Sequence, residues 1–530
     1  MQIRRLRVRD HKCLLDFDIR FNINPAGSSS TILIGENGTG KSTMMETVLE
    51  ILMSFYSPTI ASKINYDYSL EYLYAGKNIY IEQVDGNYSV TVDQELLCSG
   101  RYLKVKEILK RVPNTYFPKR IIAMYSGLNN KLEPAIRKMN SNYKKQCMDS
   151  IRDYRNVITH GIDEEVLPMP YRRFNYCDES LVSVYLCSIL CGQDSVEKRY
   201  LKENCRIDNI QSINVRLNID EIASIFGVYE ITEDSLEFIY TVIELLSGEM
   251  AGFFREGYEY QSGGKAFFEL SNMEDAQFDA VGILDFFEKL QTIFKAEITA
   301  FCTFGGTRVS CKDLSEGQRQ IIKILGMLGI CKSEDCLVMM DEPDAHMNPK
   351  WKYELKQTID NCLHDAVNTQ AIIATHDPLV INGVPKEAIR IFTYDQAIMR
   401  NNGFYITKVI EPTEDTMGLG IDGLLQSEYY GLQTSYDKEA TERFTERQDL
   451  YIKLINREAT DEEKERLKEL TREVGSMQMS YNSIDFLYDD FIKVFRDMPL
   501  YKKEYLTYDE IIERRRRIKE IITELYEEQA

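Results

Sequence analysis

The sequence predicts an α/β fold: a strand–helix core, interrupted by a mostly helical insertion and followed by a helical C-terminal tail. Three observations lead there. Short apolar strands alternate with helical patterns over about 1–127 and again from about 296 to 410. Between them, 128–295 is mostly helical in pattern, with strand-like pieces such as SINVRLNI and KAFFEL. Beyond 436 the chain is charged and helical. The expected organisation is an N-terminal core part at 1–127, an insertion or lid at 128–295, a C-terminal core part at 296–435 and a tail at 436–530.

The elements follow in order. Leu15, Phe17, Ile19, Phe21 and Ile23 alternate with Asp16, Asp18, Arg20 and Asn22, the period of a half-buried strand. NPAGSSS turns the chain, TILI (31–34) is a short apolar strand and KSTMMETVLEILMSF (41–55) reads as a helix. NIYIEQVDGNYSVTV (78–92) reads as a hairpin about Asp85-Gly86. RIIAMYSG (120–127) is another strand with its exit loop. No internal repeat and no long heptad array interrupts this order.

The bulk numbers narrow the class. The chain has 530 residues, enough for about two to four domains. It is 44% hydrophobic and 28% charged, ordinary for a globular protein with a large core. A net charge of −20 argues against a broad nucleic-acid surface, although it leaves room for a local basic groove and a DNA contact. MQIRRLRVRDHK has no apolar signal-peptide core, and no run approaches the roughly 20 apolar residues that span a bilayer. Twelve Cys occur without a C-x-x-C pair, so free thiols in a reducing cytoplasm are expected, and no zinc site or membrane partner.

Four motifs carry chemistry. GENGTGKS (35–42) fits the phosphate-binding loop G-x-x-x-x-G-K-[ST] and lies between a strand and a helix, the context it needs. Gly35, Gly38 and Gly40 let backbone N–H groups point at phosphate oxygens. The helix N-terminus adds a positive dipole end. Lys41 places a compact charge on the β- and γ-phosphates, and Ser42 can ligate Mg²⁺. Asn37, Thr39 and Thr43 belong to the same expected ATP site. In CLVMMDEP (336–343) an apolar strand ends in two carboxylates. Ligands of parallel sheets bind beyond the strands' carboxyl ends, so Asp341 is expected on Mg²⁺ and Glu342 on the attacking water. In QAIIATHD (370–377) the next strand ends in His376, which can hydrogen-bond the γ-phosphate or that water. In CKDLSEGQRQ (311–320), Ser315 and Gln318 have the spacing of a capping box. The box leaves Gly317 unexplained, because Gly weakens a first turn. A capped start with a small residue also makes an anion site.

This last stretch resembles the signature motif of the ABC-type ATPases, and the four motifs stand in that family's order over about 1–127 and 296–430. The resemblance implies an ABC-type P-loop ATPase core. It implies that Ser315, Gly317 and Gln318 meet the γ-phosphate held by the P-loop of a second subunit. Two protomers would pack head to tail as a homodimer, alone or within a higher oligomer, with ATP as glue and hydrolysis as release. The insertion lacks heptads, so coiled-coil arms are not expected. DEPDAHMNP, with His346 past the carboxylates, resembles bacterial defence ATPases related to the overcoming-lysogenisation-defect nucleases. YSGLNNKL (125–132) and MGLGIDGLLQSEYYGL (417–432) resemble restriction-system-associated ATPases, among them the ATPase subunit of the Septu anti-phage system. One departure stands out: no Gln follows the strand 120–124, where the family places its Mg²⁺-sensing loop, and Ser126 and Asn129 are the candidates left.

Relatives of this branch often carry a nuclease domain after the ATPase. The tail lacks the strand-borne carboxylates such a site needs: Asp489-Asp490 lies in a helical pattern, and RRRR (514–517) reads as a solvated charge run. The tail is expected to dock or assemble. The expected function is an ATPase subunit of an anti-phage defence complex, a dimeric switch that controls a separate effector nuclease. The alternative is a stand-alone DNA-handling ATPase of the replication-repair type.

Overall fold

The run TILIG is apolar at every position, as a strand must be when both sheet faces are covered. In the computed structural model it forms β3 (Ser29–Gly35), buried along nearly its whole length. The structure describes residues 1–126, 132–160, 171–191, 194–218, 258–261, 265–271, 280–366, 368–399, 405–432, 437–455, 459–476 and 516. The chain divides into two units, Met1–Gln433 and Thr434–Ala530.

In the first unit, β1 (Gln2–His11) and β2 (Leu14–Arg20) pair antiparallel ahead of β3. Phe17 and Ile19 are buried while Asp16, Asp18 and Arg20 are exposed, the alternation the sequence shows. Helix α1 (Lys41–Ser54) follows the P-loop. Strands β4 (Tyr68–Tyr74), β5 (Lys77–Val84), β6 (Asn87–Val92) and β7 (Glu95–Arg101) complete a six-stranded sheet in the order β2-β1-β4-β5-β6-β7. The β5–β6 turn is Asp85-Gly86, both at positive φ (48° and 73°), as a two-residue hairpin of this hand requires. Strand β8 (Arg120–Tyr125) then enters the central sheet.

The described residues of 128–295 form α2 (Leu132–His160), α3 (Val182–Leu190), α4 (Val196–Cys205) and α5 (Ala280–Phe294), but also four strands. Of these, β9 (Phe174–Tyr176) pairs in parallel with β8 and extends the central sheet. Strands β10 (Ile207–Asn218), β11 (Tyr258–Gln261) and β12 (Lys265–Ser271) join β13 (Glu297–Phe304) and β14 (Thr307–Ser310) in a five-stranded sheet. The segment is therefore woven into the first unit. Arg120 shows the stitching: its guanidinium is fully buried and bonded to Asp285 of α5 (2.6 Å) and to Glu334.

Next come α6 (Glu316–Ile330), β15 (Cys336–Asp341), α7 (Pro349–His364), β16 (Gln370–Ala374), β17 (Ile389–Met399) and β18 (Tyr405–Ile410). The central sheet has the order β18-β17-β3-β16-β15-β8-β9, parallel throughout except for β18. Alternate side chains feed two cores. Ile32, Ile34, Val338 and Met340 face helices α3, α5 and α6, whereas Leu33, Leu337, Met339 and Ile372 face α1 and the six-stranded sheet. The motif-bearing strands β3, β16, β15 and β8 lie side by side and parallel, so all their exit loops share one edge.

In the second unit, α8 (Lys438–Ile455) and α9 (Asp461–Ser476) run antiparallel, joined by Arg466–Glu446 and Lys453–Glu463 pairs over the buried Leu470. Asp489, Asp490 and the run at 514–517, Arg516 apart, lie outside the described residues. All twelve cysteines are free thiols. Among the described residues no helix is long and apolar enough to cross a membrane.

Candidate functional site

Three backbone hydrogen bonds continue the ladder past the strand ends and set the site. Thr375 N–H donates to Leu33 O (3.0 Å), Glu342 N–H to Ala374 O (2.8 Å) and Ser126 N–H to Asp341 O (3.2 Å). The exit loops of β3, β16, β15 and β8 are thereby held in one row.

The P-loop leaves β3 at Gly35. Gly35, Gly38 and Gly40 have φ of 144°, 88° and 100°, a left-handed path that favours glycine. A side chain would also collide: a Cβ at Gly35 would stand 2.1 Å from Phe392 O. The loop is braced from β17 and β18, where Tyr394 Oη donates to Asn37 O (3.0 Å) and Thr407 Oγ1 to Thr39 O (2.8 Å). Thr39 Oγ1 closes the loop onto Glu36 O (2.8 Å). Lys41 is buried and its ammonium donates to Gly35 O (2.6 Å) and Glu36 O (3.1 Å). Burial lowers its pKa, against the opposing pull of Glu342 and Asp341.

Asp341 ends β15 with 1% of its surface exposed. Burial raises its pKa to about 6, while a hydrogen bond from Ser42 works the other way. Its Oδ2 is buried without a hydrogen-bond partner. A buried orphan oxygen beside a hydroxyl at a helix start suits a hard cation that keeps waters and phosphate oxygens as its other ligands. The donor set fits Mg²⁺ held by Ser42 and Asp341, and the P-loop fits a polyphosphate.

Glu342 adopts φ 53°, a strained conformation for a residue with a side chain, of the kind found at functional sites. Its Oε2 lies 2.7 Å from His376 Nδ1, so the two sequence-predicted side chains are paired. His376 is the more open of the two, 57% exposed against 20% for Glu342. A carboxylate with an imidazole beside it can accept a proton and hold it. Two further buried groups stand near. Asp344 bonds Thr375 and has its pKa raised by burial, and the Tyr430 hydroxyl, within the field of Asp377, Asp344 and Glu342, has no hydrogen-bond partner.

Ser315, Gly317 and Gln318 are held apart from this group. Among the described residues no hydrogen bond joins them to residues 35–43. They form the expected capping box, with Ser315 Oγ accepting from Gln318 N–H and the Gln318 side chain returning to the Ser315 N–H. Gly317, which the box left unexplained, has an intrachain reason. A Cβ there would lie 2.9 Å from His346 O and 3.2 Å from the Trp351 ring. Glu316 pairs with His346 Nδ1 at 3.2 Å. The first turn of α6 thus presses on the loop that follows Glu342. Of the two candidates for the missing glutamine, Asn129 lies outside the described residues and Ser126 accepts from Gln320 Nε2 (2.7 Å). Gln320 was missed from the sequence, although a polar residue entering the apolar run IIKILGML was a signal.

Residues 1–381 match the family model AAA_15, an AAA ATPase domain, and the chain belongs to that family. The fold is a mixed α/β ATPase core whose motif-bearing strands lie parallel in one central sheet. The retron Vc95 probable ATPase of Vibrio cholerae serotype O1 biovar El Tor is 23% identical over 405 residues, covering 74% of this chain and 72% of that protein. The Septu protein PtuA of Bacillus mycoides (strain KBAB4) is 24% identical over 208 residues, covering 36% of this chain and 27% of that protein. Among solved structures, the SMC head domain from Thermotoga maritima aligns at a TM-score of 0.32 and 12% identity, covering 78% of this chain and 100% of that one.

Proposed function

We propose that this chain is the ATP-binding and ATP-hydrolysing subunit of a bacterial anti-phage defence complex. The observation that carries the reading is the meeting of Lys41 and Ser42 with Asp341, Glu342 and His376 at one edge of the central sheet. Lys41 and the N–H groups of the loop from Gly35 through Thr43 hold the β- and γ-phosphates. Ser42 and Asp341 hold Mg²⁺, which supplies charge neutralisation when bound. Glu342 takes the proton of the attacking water, and His376 fixes the carboxylate and shares the charge. Ser315, Gly317 and Gln318 serve the partner's nucleotide in a head-to-tail homodimer. The dimer is a switch that assembles and restrains a separate effector nuclease in the cytoplasm, with the tail as docking element. Relatives that carry retron and Septu in their names support the defence setting.

The test uses Lys41→Ala and Glu342→Gln in the full chain. The first should weaken ATP binding by calorimetry. The second should keep binding and lose about 10²–10⁴-fold in phosphate release. Wild-type turnover in Glu342→Gln would sink the assignment of the base. Co-purification with the product of the neighbouring reading frame, weighed with and without ATP, tests the effector. ATPase activity of the pure chain that rises with DNA would favour the DNA-handling reading instead.

A further inference from the structure

Burying a primary amide is costly unless its hydrogen bonds are made. Gln320 is 3% exposed, in the second turn of α6, just ahead of the fully or nearly fully buried Ile321, Ile322, Ile324 and Leu325. Its Nε2 donates to Ser126 Oγ (2.7 Å) and to Pro343 O (2.9 Å). These acceptors belong to the loops that leave β8 and β15. One side chain from the signature-like helix therefore ties together two exit loops of the central sheet.

The second bond falls at an informative place. Pro343 directly follows Glu342 and has no N–H, so its carbonyl is its backbone's only hydrogen-bonding group. Glu342 itself sits at φ 53°, a strained conformation that persists only where its surroundings impose it. Its N–H is fixed by Ala374 O at 2.8 Å, and its own carbonyl accepts a turn bond from Ala345 N–H at 3.2 Å. Gln320 fixes the next carbonyl along. The strained residue is pinned from the sheet on one side and from α6 on the other.

We infer that Gln320 is the positioning residue that couples α6 to Glu342. The same side chain holds the loop after β8 through Ser126. Ser315, which caps α6, stands five residues ahead of Gln320, about 7–8 Å along the axis. A ligand or partner that draws on the cap draws on Gln320, and through Pro343 O on the carboxylate of Glu342. Gln320 and Ser126 also line a cavity of about 330 Å³ with Glu316, Arg319, Lys323 and His346. The inference rests on the reading of Glu342 as the base.

The test compares Gln320→Met, which keeps volume and loses both donors, with Gln320→Glu, which sets a carboxylate against Pro343 O, in the full-length protein. Three quantities are read: the affinity for ATP, the single-turnover hydrolysis rate and amide hydrogen exchange over 342–347. Both variants should bind ATP as wild type does and hydrolyse it about 10²-fold more slowly, the effect of a misplaced catalytic group. Exchange should rise over 342–347 and stay unchanged in α1 and β3. Ser126→Ala, which removes only one of the two acceptors, should fall between. Unchanged exchange over 342–347 overturns the inference. So does wild-type turnover in either variant, or a parallel loss of affinity, turnover and protection across the whole core, which would mark a merely structural amide. A wild-type protein without turnover would sink the reading of Glu342, while the exchange over 342–347 would still decide whether Gln320 pins that loop.

Discussion

The carboxyl of Asp341 is costly to bury. Its pKa lies near 6 in the folded chain against 3.8 in the unfolded one, because burial disfavours the charge more than Ser42 favours it. A carboxyl whose folded pKa is raised adds stability at low pH, and that contribution is lost as pH rises through about 6. Asp341→Asn should therefore stabilise the protein in the absence of nucleotide and metal, by about 2–3 kcal/mol at most at neutral pH. The gain should shrink as pH falls from about 7.5 toward 4. Thermal melts across that range, without Mg²⁺, measure it. A variant less stable than wild type at neutral pH would show that Asp341 already has an unseen favourable partner. The same substitution should abolish any Mg²⁺-dependent gain in ATP affinity, so stability and function move in opposite directions at this residue.

At the scale of elements, α6 shows how much was legible and why the rest was not. Its start was readable, because a capping box is a contact between residues three apart. The β5–β6 hairpin was readable for the same reason, since Asp85-Gly86 specifies its own turn. The role of Gly317 was not, because His346 and Trp351 reach it only once the fold closes. Gln320 was hidden likewise, with Ser126 at 194 residues' remove. β9 escaped because three residues are too few to show a period. Gly317→Ala makes the point testable. Its new Cβ must displace a backbone carbonyl 2.9 Å away, so about 1–3 kcal/mol of overpacking should outweigh the gain in helix propensity. Trp351 is the chain's single tryptophan, and its emission should shift with the loss of stability. A melting temperature at or above wild type with unchanged emission would return Gly317 to a purely intermolecular role.

At the scale of the whole molecule, the proposed head-to-tail dimer predicts complementation. A Ser315→Arg chain fails because bulk and charge block its partner's γ-phosphate, and a Lys41→Ala chain fails at its own P-loop. Each alone should be nearly inactive. Mixed, they form heterodimers with one doubly broken site and one intact site, which uses the P-loop of the first chain and the cap of the second. Part of the wild-type ATPase rate should return. Heterodimers seen by native mass spectrometry but without activity would mean coupled sites or a cap that acts within its own chain. Wild type mixed with the double mutant separates these: coupled sites give dead heterodimers, and a cap acting in its own chain gives half-active ones.

The place of β3 in the central sheet bears on how the protein is made. Its neighbours on the two sides are β16, which begins at Gln370, and β17, which begins at Ile389. During synthesis the strand that leads into the P-loop therefore emerges early and waits for both partners, roughly 15–70 s at ordinary elongation rates. The sheet that carries the P-loop cannot close before β16 and β17 have been made, and the second unit, Thr434–Ala530, is made only after them. The interval has a hazard of its own. A chain stopped before Gln370 carries an apolar strand bare along both edges, a template for pairing with other chains that quality control has to remove.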